Sequence, residues 1–75
     1  MNNFEESVPE VPAPISPTRI KHLRESNLIS QLAFAELLNM HRSAVCGWES
    51  GRHKPGPLAL KLLSIVEKHG LKILA

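Results

Sequence analysis

The chain has 75 residues, 43% of them hydrophobic and none a tyrosine, which predicts one small helical domain with little room for a catalytic cleft and hence no enzyme. A single cysteine excludes an internal disulfide, and the absence of a signal peptide or a membrane-spanning run predicts a soluble, cytoplasmic protein. The net charge of +2 divides into −3 over residues 1–17 and +5 over residues 18–75, a division that fits either nucleic acid as a partner of the basic part or an ordinary solvated surface.

The N-terminal segment is acidic and rich in proline. The stretch "VPEVPAPISP" has four prolines in ten residues and too few apolar side chains to offset the entropy of ordering. It predicts a disordered, polyproline-like arm over residues 1–16, followed by a domain over residues 17–75. The arm is either a plain linker or a segment that folds onto a protein partner.

Capping residues mark the first two helices. Ser16 is a candidate N-cap and Pro17 suits the first helical position, which predicts a helix over 17–26. Ser30 is a second N-cap candidate, and the apolar spacing that follows predicts a helix over 30–38.

Glycine and proline delimit the two helices that follow. A third helix is predicted over 42–50, ending at Gly51, and a fourth from Pro57 to Gly70. The last residues, "LKILA", are ambiguous, so the fold is predicted to be all-α with four or five short helices. The apolar stripe predicted for the fourth helix is Leu58, Leu62, Ile65 and Val66, with Leu63 alongside.

The second and third helices have the pattern of a helix-turn-helix pair. Such a pair needs a small residue where the backbones approach, an apolar residue in the turn and an apolar inner face on the second helix. Ala35, Met40 and Val45 supply these, and Trp48 extends the inner face by one turn. Glu49 opposes the helix dipole so near a C-terminus, and it therefore needs a partner, either Arg24 or loop N–H groups.

The outer face of the third helix is small and nearly uncharged, and the residues placed there are Ser43, Cys46, Gly47 and Ser50. Cys46 with nearby histidines could be imagined as a zinc site, but structural zinc needs four ligands and no second cysteine exists. We therefore predict neither a metal nor a cofactor, and no nucleophilic role for Cys46.

These features together resemble a known family. Residues 19–75 are similar to the helix-turn-helix domain of the Xre/HigA-type, phage-repressor-like regulators, a family that includes many antitoxins of toxin–antitoxin operons. The resemblance implies a lambda-repressor-like fold. The matching residues are Ser30, Gln31, Phe34, Ala35, Leu38, Val45, Trp48, Glu49, Gly51, Pro55 and the run "ALKLL".

The resemblance implies that the third helix enters the major groove of double-stranded DNA, as part of a homodimer on a palindromic operator. It implies phosphate contacts for Ser30 and Gln31 and base contacts for Arg42, Ser43, Ala44, Cys46 and Gly47. Arg42 can pair with a guanine edge, and Ala44 could meet a thymine methyl. The loop residues Arg52, His53 and Lys54 can reach the sugar-phosphate backbone.

Two residues depart from the family pattern. His41 stands at the N-cap of the third helix, where Ser, Thr or Asp is usual, so the cap is either weaker or supplied by another group. Gly47 costs about 1 kcal/mol of helix propensity, and it either permits a close approach to DNA or marks a lost contact.

The resemblance favours a sequence-specific DNA-binding repressor of its own operon, acting as the antitoxin of a type II toxin–antitoxin pair. Its N-terminal arm or another surface would bind a small ribonuclease-type toxin. A stand-alone transcriptional regulator is the second hypothesis. A protein-interaction module that kept the fold but lost DNA binding is the third.

Overall fold

The computed structural model describes residues 13–75, and the first 12 residues of the predicted arm lie outside the described part. Within residues 13–75 the chain forms helices and no β-strand, which confirms the predicted all-α class. The elements are α1 (Pro17–Ser26), α2 (Gln31–Leu37), α3 (Arg42–Ser50), α4 (Pro57–His69) and a C-terminal 3₁₀ turn (Leu71–Leu74).

The helix ends follow the capping signals in the sequence. The Ser16 and Ser30 hydroxyls each accept a hydrogen bond of 3.1 Å from the backbone N–H three residues on, as N-caps do. The His41 side chain makes no such bond, so the weaker cap of α3 is confirmed. Gly51 closes α3 with a φ of 82°, a conformation that glycine adopts without strain.

Two connections use left-handed backbone at residues other than glycine. Asn39 (φ 58°) turns the chain between α2 and α3, and asparagine tolerates this conformation well. Leu28 (φ 59°) does the same between α1 and α2, although leucine has no side-chain group that compensates the strain. Its side chain is 92% exposed, so packing does not compensate the strain either.

The core is a single apolar cluster to which all four helices contribute. Its fully or almost fully buried side chains are Ile20, Phe34, Ala35, Leu38, Val45, Trp48, Ala59 and Leu63. Val66 of α4 is buried as well. The buried stripe of α4 therefore differs from the predicted one, because Ala59 is buried whereas Leu58 is 76% exposed. Pro57 begins α4, so Leu58 lies in the first turn, and there it faces solvent.

Met40 was predicted to belong to the core of the helix-turn-helix pair, and this prediction is wrong. Its side chain is 37% exposed. Asn39 reverses the chain immediately before it, and the Met40 N–H donates a 2.9 Å hydrogen bond to the Ala35 carbonyl. The turn is thus held to α2 through the backbone of Met40.

The packed part of the chain is slightly larger than the predicted domain. Ile15 lies before α1 and packs against the core, so packing begins ahead of residue 17. At the other end, Leu71 and Leu74 of the 3₁₀ turn also pack against the core, whereas Ile73 is half exposed.

Candidate nucleic-acid interface

The inner face of α3 is anchored in the core. Val45 and Trp48, three residues apart, are both buried in the cluster that includes Phe34 and Ala35 of α2. Ala35 is fully buried, and its small side chain suits a close approach of the two helix backbones. This packing fixes which face of α3 is turned toward solvent.

A polar clamp fixes the C-terminal end of α3. The Arg24 guanidinium on α1 donates from Nε to Glu49 Oε2 at 2.7 Å and from Nη2 to Glu49 Oε1 at 2.9 Å. Arg24 also donates from Nη1 to the Ile29 carbonyl at 3.0 Å. The Gln31 amide, at the start of α2, donates to Glu49 Oε1 at 3.1 Å. The predicted pairing of Glu49 with Arg24 is confirmed, and the clamp joins α1, α2 and α3.

The electrostatics of the clamp favour the ionised carboxylate. Burial by itself raises the pKa of Glu49, but the hydrogen bonds from Arg24 and Gln31 and the positive charges of Arg24 and Lys21 together hold this pKa below its ordinary value. The hydrogen bond to Glu49 correspondingly raises the pKa of Arg24. Glu49 is therefore a charged residue in the folded protein at neutral pH.

The solvent-facing surface of α3 is small and carries one charge. Arg42 and Ser43 are exposed at its N-terminal end and Ser50 at its C-terminal end, while Cys46 is half buried between them. Ala44 is half buried and packs against the core, so it offers only part of its surface. The base contacts predicted for Arg42, Ser43, Ala44 and Cys46 remain predictions.

The loop after α3 carries the basic residues that the sequence analysis selected. Arg52, His53 and Lys54 are all exposed, and they follow directly on the Gly51 C-cap. The His53 N–H donates to the Gly47 carbonyl at 3.2 Å, which holds the loop against the last turn of α3. The loop and α3 therefore form one continuous surface.

The helical wheel predicts that Gly47 lies on the open outer face of α3. In the structure Gly47 does not present an open surface. It is buried, because the His53 imidazole lies over it: a Cβ at position 47 would stand 2.6 Å from His53 Cδ2. The missing side chain of Gly47 makes room for this ring. Wheel geometry alone could not reveal this, because it places residues on a helix but not the loop beyond it.

Lys21 is a basic residue that the sequence analysis did not single out. It is exposed on α1, one turn before Arg24, and close enough to Glu49 to lower the pKa of that carboxyl. The spacing of three residues from Arg24 was the available signal. Its position beside the clamp depends on how α1 packs against α3.

Residues 13–75 contain no group of three or more His, Cys, Asp or Glu side chains placed to hold a metal ion. Among the helices of this described part, none combines the length and apolar character needed to cross a bilayer.

Comparison with known proteins places this architecture in a family. The helix-turn-helix family matches the sequence over residues 20–66, which include α1 from its fourth residue, all of α2 and α3, and most of α4. The chain belongs to the helix-turn-helix family. The match includes the clamp, the Trp48 anchor and the outer face of α3.

Within the helix-turn-helix family, the chain is similar to a curated antitoxin. The chain is 38% identical over 55 residues to Antitoxin HigA-2 of Vibrio cholerae serotype O1, an alignment that covers 73% of this chain and 53% of that protein. The chain thus spans about half the length of this curated relative. The resemblance to Xre/HigA-type helix-turn-helix regulators is confirmed.

Proposed function

We propose that this protein is a sequence-specific DNA-binding transcriptional repressor that inserts α3 into the major groove. The observation that carries the proposal is the way α3 is held: Trp48 is buried, and Glu49 is clamped by Arg24 and Gln31. A helix fixed on its inner face and small on its outer face can approach another surface closely without rearrangement. Membership of the helix-turn-helix family supports DNA as that surface.

Each charged group of the surface has a distinct task in this proposal. Arg42 stands exposed at the N-terminal end of α3, where it can donate two parallel hydrogen bonds to a guanine edge. Arg52 and Lys54 contribute backbone attraction that is independent of sequence and weakens with salt.

Gln31 and Ser30 stand at the start of α2, where we propose contacts to phosphate. One N–H of the Gln31 amide is used by Glu49, and its second N–H is the donor available for a phosphate oxygen. The Ser30 hydroxyl accepts from the Ala33 N–H and keeps its own O–H to donate. A phosphate held by Gln31 would be connected through Glu49 to Arg24.

We further propose that the protein is an antitoxin that represses its own operon as a homodimer on a palindromic site. The support is the similarity to a protein named as an antitoxin. Its partner would be a small ribonuclease-type toxin. A stand-alone regulator would share the DNA-binding surface and lack the toxin.

DNA binding is tested by selecting sites from a random double-stranded library and by gel shift on the protein's own promoter. We expect a specific complex that is weakened by Arg42→Ala. Arg19→Ala is the matched control, because Arg19 is an exposed arginine on α1 that pairs with Glu67 on α4. A protein that selects no site and shifts no promoter fragment would be an interaction module instead.

The antitoxin proposal is tested by co-expression with the adjacent open reading frame, scored for growth rescue and co-purification. Rescue with co-purification is the expected result. If neither occurs while operator binding persists, the protein is a stand-alone regulator.

A further inference from the structure

The His53 imidazole occupies the space beside Gly47 of α3 that a side chain at position 47 would fill. The ring carbons of His53 cover Gly47: a Cβ added there would lie 2.6 Å from Cδ2 and 3.3 Å from Cγ. The His53 N–H also donates to the Gly47 carbonyl at 3.2 Å. Backbone and ring therefore both fix His53 on this turn of the helix.

The position of the ring matters because of what neighbours it along α3. Residue 47 follows Ser43 by four residues, so the two lie on the same side of the helix, one turn apart. Ser43 is exposed, and His53 is exposed as well although it covers a buried glycine. The outer face that begins with Arg42 and Ser43 is thus continued toward the C-terminus by an imidazole.

The ring is oriented so that its polar atoms remain available. Its Cγ–Cδ2 edge faces Gly47, and no hydrogen bond within residues 13–75 uses either imidazole nitrogen. A neutral imidazole offers one N–H donor and one nitrogen acceptor. In the major groove these match the acceptor N7 of a purine and the exocyclic amino group of adenine or cytosine.

We infer that His53 is a specificity-determining residue, which contacts a base edge in the place where Gly47 has no side chain. This inference rests on the proposed DNA-binding function of α3. It assigns Gly47 an indirect role: because Gly47 has no side chain, the His53 imidazole can lie directly against the surface of α3. It also assigns His53 a task different from that of Arg52 and Lys54, whose charges contact only the DNA backbone.

The test uses the DNA site that the wild-type chain selects from a random library, together with every single base-pair substitution of that site. At one base pair per half-site, the wild-type chain should prefer one base over the others by about two- to tenfold in affinity, the contribution of one hydrogen bond. His53→Ala should abolish this preference. Arg52→Ala, in the same loop, is the matched control and should weaken binding to all the sites by the same factor.

A second variant separates the seating role of Gly47 from a general disturbance of the helix. Gly47→Ala should lose the same base preference as His53→Ala, because the new methyl group displaces the ring. In a chain that already carries His53→Ala, adding Gly47→Ala should change the preference no further. Circular dichroism and thermal unfolding verify that each variant is folded.

Three results would overturn the inference. If His53→Ala weakens binding to every site equally and lowers the salt dependence, His53 is a backbone contact. If it leaves all affinities unchanged, His53 contacts no DNA. A wild-type chain that selects no site would refute the proposed function and this inference together, whereas the other two results refute only the inference.

Discussion

Arg24 and Glu49 form a bidentate ion pair that joins α1 to the last turn of α3, with N–O distances of 2.7 and 2.9 Å. The two side chains are only 12% and 5% exposed. Gln31 adds a third donor from the start of α2. The pair therefore sets the position of α3 as well as stabilising the fold.

Removing Arg24 should be strongly destabilising, because it leaves the Glu49 carboxylate buried with only the Gln31 amide as partner. We expect Arg24→Ala to lower the free energy of unfolding by about 3 kcal/mol. Arg19→Ala is the control: it breaks a bidentate pair with Glu67 whose side chains are 60% and 31% exposed. Exposed pairs are worth about 1 kcal/mol or less, and urea unfolding of the two variants measures the difference. Equal losses would show that the clamp is no more than a surface pair.

Because the pKa of Glu49 is lowered in the folded protein, the free energy of unfolding should fall at acidic pH. A carboxyl whose pKa is lower in the folded than in the unfolded chain stabilises the fold above its unfolded pKa, and this stabilisation is lost as the pH falls through the folded value. The stability difference between wild type and Glu49→Gln should therefore be constant above about pH 6 and shrink as the pH falls below the ordinary value of 4.5. Arg24, with its raised pKa, stays charged throughout this window. Urea unfolding at several pH values tests this, and a difference that stays constant down to pH 3 would contradict the lowered pKa.

Replacing Leu28 by glycine should make the folded protein more stable. Its left-handed backbone (φ 59°) strains any residue with a Cβ, and its exposed side chain contributes no packing that would be lost. We expect Leu28→Gly to raise the free energy of unfolding by about 0.5 to 1 kcal/mol, the relief of strain less the greater chain entropy of glycine. Leu28→Ala keeps the Cβ and should change stability by less than about 0.5 kcal/mol. If the Leu28→Gly variant is less stable than the Leu28→Ala variant, the turn does not carry this strain in solution.

The sequence predicted the helices well because their ends carry local signals. Ser16, Ser30 and Gly51 act through groups within three residues of themselves, so their capping could be predicted without knowledge of the tertiary fold. The partner of Glu49 was also predictable as one of two options, since a carboxylate near a helix C-terminus needs compensation.

The errors concern features that depend on how elements pack together. The spacing places Met40 in the core, but its side chain is 37% exposed, and it follows the left-handed Asn39 and is tied to α2 by its backbone N–H. Gly47 was placed on an open face, because the loop that brings His53 over it could not be foreseen from helical periodicity. For Lys21 the sequence offers one signal, its spacing of three residues from Arg24, and its place near Glu49 depends on the packing of α1.

Arg42 and Lys54 should affect DNA binding in different ways. Arg42→Ala should reduce discrimination between the selected site and random DNA by about 1 to 3 kcal/mol, since it removes a base contact. Lys54→Ala should preserve this ratio and instead reduce the slope of log affinity against log salt concentration by about 0.9, the value of one phosphate contact. Titrations at three salt concentrations measure both quantities. A Lys54→Ala variant with altered base preference would contradict this division of roles.

Methylation interference on the selected site tests the central claim, that α3 reads the major groove, most directly. Methylation of guanine N7 modifies the major-groove edge, and methylation of adenine N3 modifies the minor-groove edge. We predict that N7 methylation blocks binding at one or more guanines in each half-site, and that Arg42→Ala abolishes the interference at one of them. Interference confined to adenine N3, or an N7 pattern that Arg42→Ala leaves unchanged, would contradict the account.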